Sequence, residues 1–343
     1  MSINGDIHLP EGVGLVIVGR NEGARLQRSL ARTRNKDRAI YVDSGSSDAS
    51  SDKARSLGFN VLDLDPARPF TAARGRNEGF EALLKAHPDL RYVHFQDGDC
   101  LVDTAWMAAG RDALDAAPQV ALVAGVLREQ NVEASVFNRL LDMEWQQPPG
   151  DNARIGGNAM VRVKDFQAVG GFKADLPAGE EGDLHIRLRA AGHIVRRIDA
   201  PMAYHDADMT RYSQWWQRCL RGGQAAAEAY DRHSDADPHA QRMQRSNFFW
   251  GLAVPAAGVV GLPVTLGLSS MVPVAGYAAL YAKILKAQVA AGRPLSDAEL
   301  YARFTVLAKF PQALGQLRYH VMRARGKKTR VIDWRDAGTS GPN

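Results

Sequence analysis

Short apolar runs that alternate with segments of helical spacing are the feature that most restricts the fold of this chain. The runs that fit buried strands lie at Gly14–Val18, Ala39–Val42, Asn60–Leu64, Tyr92–Phe95 and Val120–Val126. Between them, apolar residues recur at helical spacing, as at Phe80, Leu83 and Leu84. Apolar strands that alternate with helices are typical of βαβ units. We therefore predict an α/β fold with a mostly parallel sheet that is covered by helices on both faces.

Polar clusters follow several of these runs directly. Asp43-Ser44-Gly45-Ser46-Ser47-Asp48 follows the second run, and Asp97-Gly98-Asp99 follows the fourth. In α/β sheets, ligands bind where the carboxyl ends of the strands open into loops. Paired carboxylates suit Mg²⁺ or Mn²⁺ beside substrate phosphates, although an Asp-x-Asp also occurs in plain surface turns. The first cluster fits a nucleoside-binding loop or a simple turn with a helix cap.

Three further groups of polar residues have both a structural and a functional interpretation. The acids Glu180 and Glu181 open a predicted helix, where they complement the helix dipole or supply a general base. His205 follows a strand-like segment and is a structural residue or a ligand. Arg218 and Arg221 lie three apart, so they share one helix face that is solvated or clamps a diphosphate.

A long segment without charge, Ser246–Ala282, contains no Asp, Glu, Lys, Arg or His. Prolines at 255, 263 and 273 divide it, which favours two short apolar helices. Basic residues flank it on both sides (Arg242, Arg245, Lys283 and Lys286), as expected of a hairpin whose ends both lie on the cytoplasmic side. We predict a membrane-associated apolar hairpin at 246–286, with a buried core hairpin as the alternative.

The net charge of +5 is concentrated in one stretch. Six Lys or Arg residues lie between Arg318 and Arg330, so the rest of the chain is close to neutral. This distribution argues against a nucleic-acid partner and fits an anionic membrane surface or a solvated tail. The two cysteines cannot form a disulfide framework, which favours a reducing compartment. Met1 to Pro10 lacks an apolar run, so no secretory signal is expected.

Taken in order from about Gly14 to Gly223, the motifs resemble glycosyltransferase family 2, which has the nucleotide-binding GT-A fold. The matching pieces are Val16–Glu22, Val42–Asp48, Ala73–Gly79, Asp97–Asp99, Gly156–Asn158, Gly170–Phe172 and Gly179–Leu184. The resemblance implies a nucleotide pocket lined by Asn21, Glu22, Asp43, Arg74 and Asp97.

The same resemblance implies roles for the remaining candidates. Asp99 holds a divalent cation, Mg²⁺ or Mn²⁺, and His205 makes a further metal or phosphate contact. Glu181 stands where the catalytic base is expected. Arg218 and Arg221 lie in a stretch that resembles the Gln-x-x-Arg-Trp signature of processive members imperfectly, which puts processive synthesis in doubt.

We therefore predict an inverting, metal-dependent glycosyltransferase. Its domains are a GT-A domain at 10–225 and a helical region at 226–343 with the apolar hairpin and the basic tail. It would move sugar from a nucleotide-sugar donor to a saccharide or lipid-linked acceptor at the cytoplasmic face of the cell membrane, in polysaccharide or glycolipid synthesis. One alternative is a nucleotidyltransferase, although no glycine-rich phosphate loop with a lysine follows the first strand. Another is an idle membrane scaffold, which would show no metal-dependent nucleotide binding.

Overall fold

The computed structural model describes residues 5–151, 154–233, 238–265, 269 and 271–327. The strands are β1 Val13–Gly19, β2 Ala39–Asp43, β3 Asn60–Asp63, β4 Tyr92–Asp97, β5 Cys100–Val102, β6 Val120–Glu129, β7 Gly150–Asp151, β8 Ala159–Arg162 and β9 Ile194–His205. The helices are α1 Gly23–Arg32, α2 Ser50–Ser56, α3 Ala72–Ala86, α4 Trp106–Asp115, α5 Val136–Trp145, α6 Val163–Ala168, α7 Glu180–Ala190, α8 Tyr212–His233, α9 Pro238–Phe248, α10 Val254–Thr265, α11 Met271–Ala290 and α12 Leu295–Ala324. The apolar runs of the sequence thus form β1, β2, β3, β4 and β6.

Contacts divide the chain into two compact units. One comprises Met1–Val132 and Glu144–Asp208, and the other comprises Glu133–Met143 and Met209–Asn343. The first unit holds the whole sheet, and the second is helical. The domain boundary predicted at residue 225 falls inside α8, which belongs to the second unit.

The sheet is mixed rather than mostly parallel, which corrects the sequence prediction. Its order is β3-β2-β1-β4-β8-β6-β9-β5, with β7 on β9. The half that contains β3, β2, β1 and β4 is parallel. Beyond β4 the direction changes, because β8 runs antiparallel to both β4 and β6. β6 and β9 are parallel, whereas β5 and β7 pair with β9 in antiparallel fashion.

Helix α3 lies close to the parallel half of the sheet because it carries a glycine at the contact. A side chain at Gly79 would place its Cβ 2.6 Å from Val42 and 2.7 Å from Val16. Phe80 and Leu83 are buried on the same helix. This contact fixes the position of the first turns of α3 against the ends of the strands.

In the second unit, α10 and α11 occupy most of the sequence of the predicted apolar hairpin at 246–286. α10 has 12 residues, and roughly 20 are needed for one bilayer crossing. Across the part of the chain that the structure describes, no helix combines the length and the apolarity required to span a membrane. The predicted membrane-crossing hairpin is therefore not supported. The alternative of a buried hairpin does not hold for Val259, Val260, Met271, Val272 and Val274, which are 63–76% exposed. In the basic stretch, Lys328 and Arg330 lie outside the described residues.

Candidate active site

The carboxyl ends of three adjacent strands bring the predicted nucleotide-binding residues to one edge of the sheet. β1 lies between β2 and β4, with Gly19 paired to Asp43 and Val18 paired to Asp97. The loop after β1 carries Asn21 and Glu22 at the same edge. The contact is close, because a Cβ on Gly98 would lie 3.0 Å from Glu22 Cγ. The topology thus assembles this part of the predicted site.

Asp43 and Asn21 organise the polar loop at 43–48. The Asp43 carboxylate accepts hydrogen bonds from the Tyr41 hydroxyl at 2.9 Å and the Ser46 hydroxyl at 2.6 Å, and from the backbone N–H groups of residues 45 and 46. Asn21 has a left-handed backbone, with φ of 54°, and its Oδ1 accepts from the backbone N–H of Ser47 at 2.7 Å. Both side chains hold the loop in this form, and their contact with a nucleoside stays a prediction.

A buried arginine that the sequence reasoning overlooked joins the acids of the site. The Arg76 side chain is 3% exposed and donates to Asp97 Oδ1 at 2.7 Å and to Glu180 Oε1 at 2.8 Å. Glu181 Oε1 lies 3.7 Å from Arg76 Nη1. The acid at the end of β4 and the two acids in the first turn of α7 therefore meet around one cation.

Arg74, the predicted nucleotide contact on the same helix, has different partners. Its guanidinium is buried and donates to Glu78 Oε1 at 2.7 Å. It also donates to the backbone oxygens of Asp65 at 3.0 Å and Arg68 at 2.9 Å. Arg74 therefore secures the loop that precedes α3, and its contact with a nucleotide is untested.

The environment of Glu181 suits a proton acceptor. Burial, and then repulsion by Glu180, raises the pKa of Glu181 from 4.5 to about 7, although the Arg76 charge opposes this. Arg76 contacts Glu180 more closely than Glu181, which leaves the Glu181 carboxylate less well compensated. A general base is most effective when its pKa lies near the operating pH.

Asp99 and His205, the two predicted metal ligands, lie close together. Asp99 Oδ2 lies 3.3 Å from His205 Nε2. Potential ligand atoms of Asp99, Cys100 and His205 all lie within 4.8 Å of one another. Burial and the Asp99 carboxylate raise the pKa of the Cys100 thiol. A cysteine sulfur is also a soft ligand, which selects zinc or copper(I) rather than Mg²⁺ or Mn²⁺. The Asp99 carboxylate suits Mn²⁺ or Mg²⁺. The His205 imidazole is the commonest nitrogen ligand of metal ions in proteins.

Asn158 connects the metal-binding candidates with the acids around Arg76. Its Nδ2 donates to Asp97 Oδ2 at 3.2 Å and to Cys100 Sγ at 3.4 Å, and its Oδ1 accepts from the Asp97 backbone N–H at 3.1 Å. Asn158 belongs to one of the motifs noted in the sequence, but its role follows only from these contacts. It reaches Asp99 only indirectly, through Cys100 Sγ, which lies 3.7 Å from Asp99 Oδ1.

Arg218 and Arg221, the predicted diphosphate clamp, lie on α8 in the second unit. Both are half-buried. Their approach to a diphosphate stays a prediction.

Comparison with known proteins identifies the domain that carries part of this site, although Glu180, Glu181 and His205 lie beyond the matched residues. Residues 15–170 match the family model described as Glycosyl transferase family 2. The chain contains a glycosyltransferase family 2 domain. This domain includes β1 to β8 and the loop residues at their ends, and the family match supports the predicted GT-A-like fold. The succinoglycan biosynthesis protein ExoA of Rhizobium meliloti is 28% identical over 212 residues. The match covers 56% of this chain and 62% of that relative, so it spans less than two thirds of the relative's length.

Two solved structures also resemble the chain. One is a mannosyltransferase, PcManGT from Pyrobaculum calidifontis in complex with GDP-Man and Mn²⁺, at 18% identity and a TM-score of 0.49. The structural alignment covers 91% of this chain and 86% of the mannosyltransferase chain. The other is TarS 1–349 of S. aureus, at 15% identity and a TM-score of 0.43, with 92% of each chain covered.

Proposed function

We propose that this protein is an inverting, metal-dependent glycosyltransferase that moves a sugar from a nucleotide-sugar donor to a hydroxyl of a saccharide or a lipid-linked saccharide. The observation that carries the proposal is the meeting of Asp97, Glu180 and Glu181 around the buried Arg76 guanidinium. Asn158 and then Cys100 link this cluster to Asp99, and His205 lies next to Asp99. The match to family 2 supports the reaction class.

The residues of the site would have different roles in sugar transfer. Glu181 accepts the proton of the acceptor hydroxyl as that oxygen attacks the anomeric carbon. The bond between this carbon and the diphosphate breaks, and the electron pair leaves with the diphosphate. One displacement inverts the anomeric configuration and needs no covalent sugar intermediate. When bound at Asp99 and His205, a divalent cation supplies positive charge to the diphosphate.

A test of the reaction class uses a panel of UDP- and GDP-sugars with Mn²⁺ or Mg²⁺. We expect release of free nucleoside diphosphate, and we expect EDTA to abolish it. Release of pyrophosphate instead would indicate nucleotidyl transfer. If neither UDP nor GDP binds together with the metal in calorimetry, the idle scaffold is favoured.

Asp99→Asn and Glu181→Gln test the residue assignments. Both variants should fold and lose sugar transfer, and Asp99→Asn should in addition lose metal-linked nucleotide binding. Glu78→Gln is a matched control, because Glu78 is an acid bonded to Arg74 outside the Arg76 cluster. Near wild-type turnover in Glu181→Gln would remove Glu181 from the mechanism.

We further propose that the acceptor belongs to polysaccharide synthesis and that the protein acts at the cytoplasmic face of a membrane. The relative's role in succinoglycan biosynthesis supports the acceptor class. Exposed apolar side chains on α10 and α11, such as Val260 at 76% and Val274 at 69%, support contact with a bilayer surface. Lys283 and Lys286 follow on α11 and favour anionic lipid.

Vesicle flotation tests the membrane proposal. The full chain should float with vesicles that contain anionic lipid, and Val260→Asp with Val274→Asp should weaken this at least tenfold. Leu295→Asp is the control, because Leu295 is also an exposed apolar residue, at 59%, but lies on α12. Equal flotation of the double variant and the wild type would contradict the proposal.

A further inference from the structure

Strand register places His205 between two buried carboxylates. β9 pairs with β5 on one side, where Cys100 opposes His205, and with β6 on the other, where Glu129 opposes it. Asp99 directly precedes Cys100, so its carboxylate lies on the β5 side, 3.3 Å from His205 Nε2. Glu129 Oε2 lies 3.7 Å from His205 Nδ1. Each ring nitrogen thus faces a different acid.

Glu129 is held rigidly in this position. Its side chain is 0% exposed, and its two carboxylate oxygens accept the backbone N–H groups of Asn131 at 3.2 Å and Ala207 at 3.3 Å. The Trp145 ring lies against the imidazole, with its centroid 4.7 Å from that of His205. The two backbone hydrogen bonds restrict movement of the Glu129 carboxylate, and the Trp145 ring restricts rotation of the His205 imidazole.

His205 Nδ1 is buried without a hydrogen-bond partner among the described residues. The carboxylate oxygen that faces it lies 3.7 Å away, about 0.5 Å beyond the usual range of an N–H···O hydrogen bond. A small movement of the ring would close this distance. A metal-binding histidine generally donates its second N–H to a carboxylate or carbonyl, which fixes the tautomer and orients the other nitrogen toward the metal.

We propose that Glu129 is a positioning residue that accepts the Nδ1–H of His205 and so presents Nε2 to the divalent cation held by Asp99. This inference rests on the proposed metal-dependent function. Glu129 itself touches neither the cation nor the sugar donor. The motif resemblance does not include this residue, and it becomes visible only through the pairing of β6 with β9.

The test measures Mn²⁺ binding by calorimetry on the full chain in the presence of UDP and, separately, GDP. Glu129→Gln should bind Mn²⁺ about 10- to 100-fold more weakly, as is usual when the partner of a metal-binding histidine is removed. Glu129→Asp should retain part of the affinity because it keeps a carboxylate. Glu133→Gln is the control for lost charge, since that side chain is 82% exposed, and it should bind as the wild type does.

A double-mutant cycle separates positioning from a general structural effect. Glu129→Gln should weaken binding in the wild type but should have little further effect in a His205→Ala background, because Glu129 acts through His205. Equal losses in both backgrounds would overturn the inference. If the wild type binds Mn²⁺ with neither nucleotide, the metal proposal itself fails, and the inference with it.

A second measurement does not require any variant of Glu129 to fold. Nitrogen-15 NMR of the wild type with Mg²⁺ and the bound nucleotide reports which ring nitrogen of His205 carries the proton, with His205→Ala to assign the signal. We expect the proton on Nδ1. A proton on Nε2 would contradict the inference.

Discussion

Replacing Glu181 with glutamine should make the protein more stable at alkaline pH while abolishing sugar transfer. Burial and the neighbouring Glu180 raise the pKa of Glu181 from 4.5 to about 7, so the ionised carboxylate is less stable in the folded protein than in the unfolded chain. The side chain is 24% exposed, so solvent relieves only part of this penalty. The neutral amide of glutamine has a similar shape and removes this penalty.

The magnitude follows from the linkage between pKa and stability. Each pKa unit corresponds to about 1.4 kcal/mol, so full ionisation of Glu181 costs at most about 3–4 kcal/mol. The pKa of about 7 already includes the attraction to Arg76, and partial exposure to solvent reduces the penalty further, so we expect a net gain of about 1–3 kcal/mol. Below pH 4.5 the carboxyl is protonated in both states and the penalty is absent. It grows as the pH rises through the interval from 4.5 to about 7 and is complete above it.

Thermal unfolding at pH 5 and pH 8.5 tests this expectation. The melting temperature of Glu181→Gln should exceed that of the wild type only slightly at pH 5 and by several degrees at pH 8.5. This follows from about 2–4 °C per kcal/mol for a unit of this size. Glu81→Gln, an exposed acid on α3, should show no such pH dependence. A gain that is the same at both pH values would refute the assignment of a strained carboxylate at this position.

The remaining predictions concern pH and close backbone contacts. Wild-type kcat/KM should fall on the acid side of about pH 7 as Glu181 becomes protonated, and a profile flat from pH 5 to 8 would argue against its role as base. Gly157→Ala should lower turnover about 100-fold, since its Cβ would lie 1.9 Å from the bridging guanidinium. Gly156→Ala has nothing within 4 Å of its Cβ and should retain activity; equal activities would show that the guanidinium position does not matter. Gly223→Ala should lose about 1–3 kcal/mol of stability, because its Cβ would lie 2.0 Å from a backbone oxygen of α12. Gly222→Ala, with open space, should gain about 0.5–1 kcal/mol, and matching melting temperatures would contradict the close contact.

The elements that depend on local pattern were predictable from the sequence. The apolar runs that became β1, β2, β4 and β6 end in polar residues, and strands of this kind place such residues at one edge of a sheet. This is why Asp43, Asp97 and Asp99 were found. The change of strand direction at β8 was missed, because pairing between distant segments sets it and local periodicity does not.

Helical spacing could have distinguished the two arginines of α3. Residues two apart on a helix point to nearly opposite sides. Arg76 shares the face of Phe80 and Leu83, four and seven positions later, and this face packs on the sheet. Arg74 lies on the other side. The motif resemblance assigned Arg74 to the nucleotide and gave no role to Arg76, whereas the apolar stripe places Arg76 on the face that reaches the acids.

No comparable signal identifies Glu129. It ends a long apolar strand like many surface acids, and only the parallel pairing of β6 with β9 brings it opposite His205. Long-range register of this kind cannot be derived from a single sequence.

The interruption of the sheet-bearing unit by 133–143 affects any attempt to dissect the protein. In α5, Phe137, Leu140 and Leu141 are buried, and the Phe137 ring lies 5.7 Å from that of Phe304 on α12. A fragment that stops after β9 would leave this apolar helix uncovered in the middle of its own chain. We expect such fragments to aggregate and to express poorly. Replacing 133–143 with a polar linker would allow the sheet-bearing unit to be produced alone.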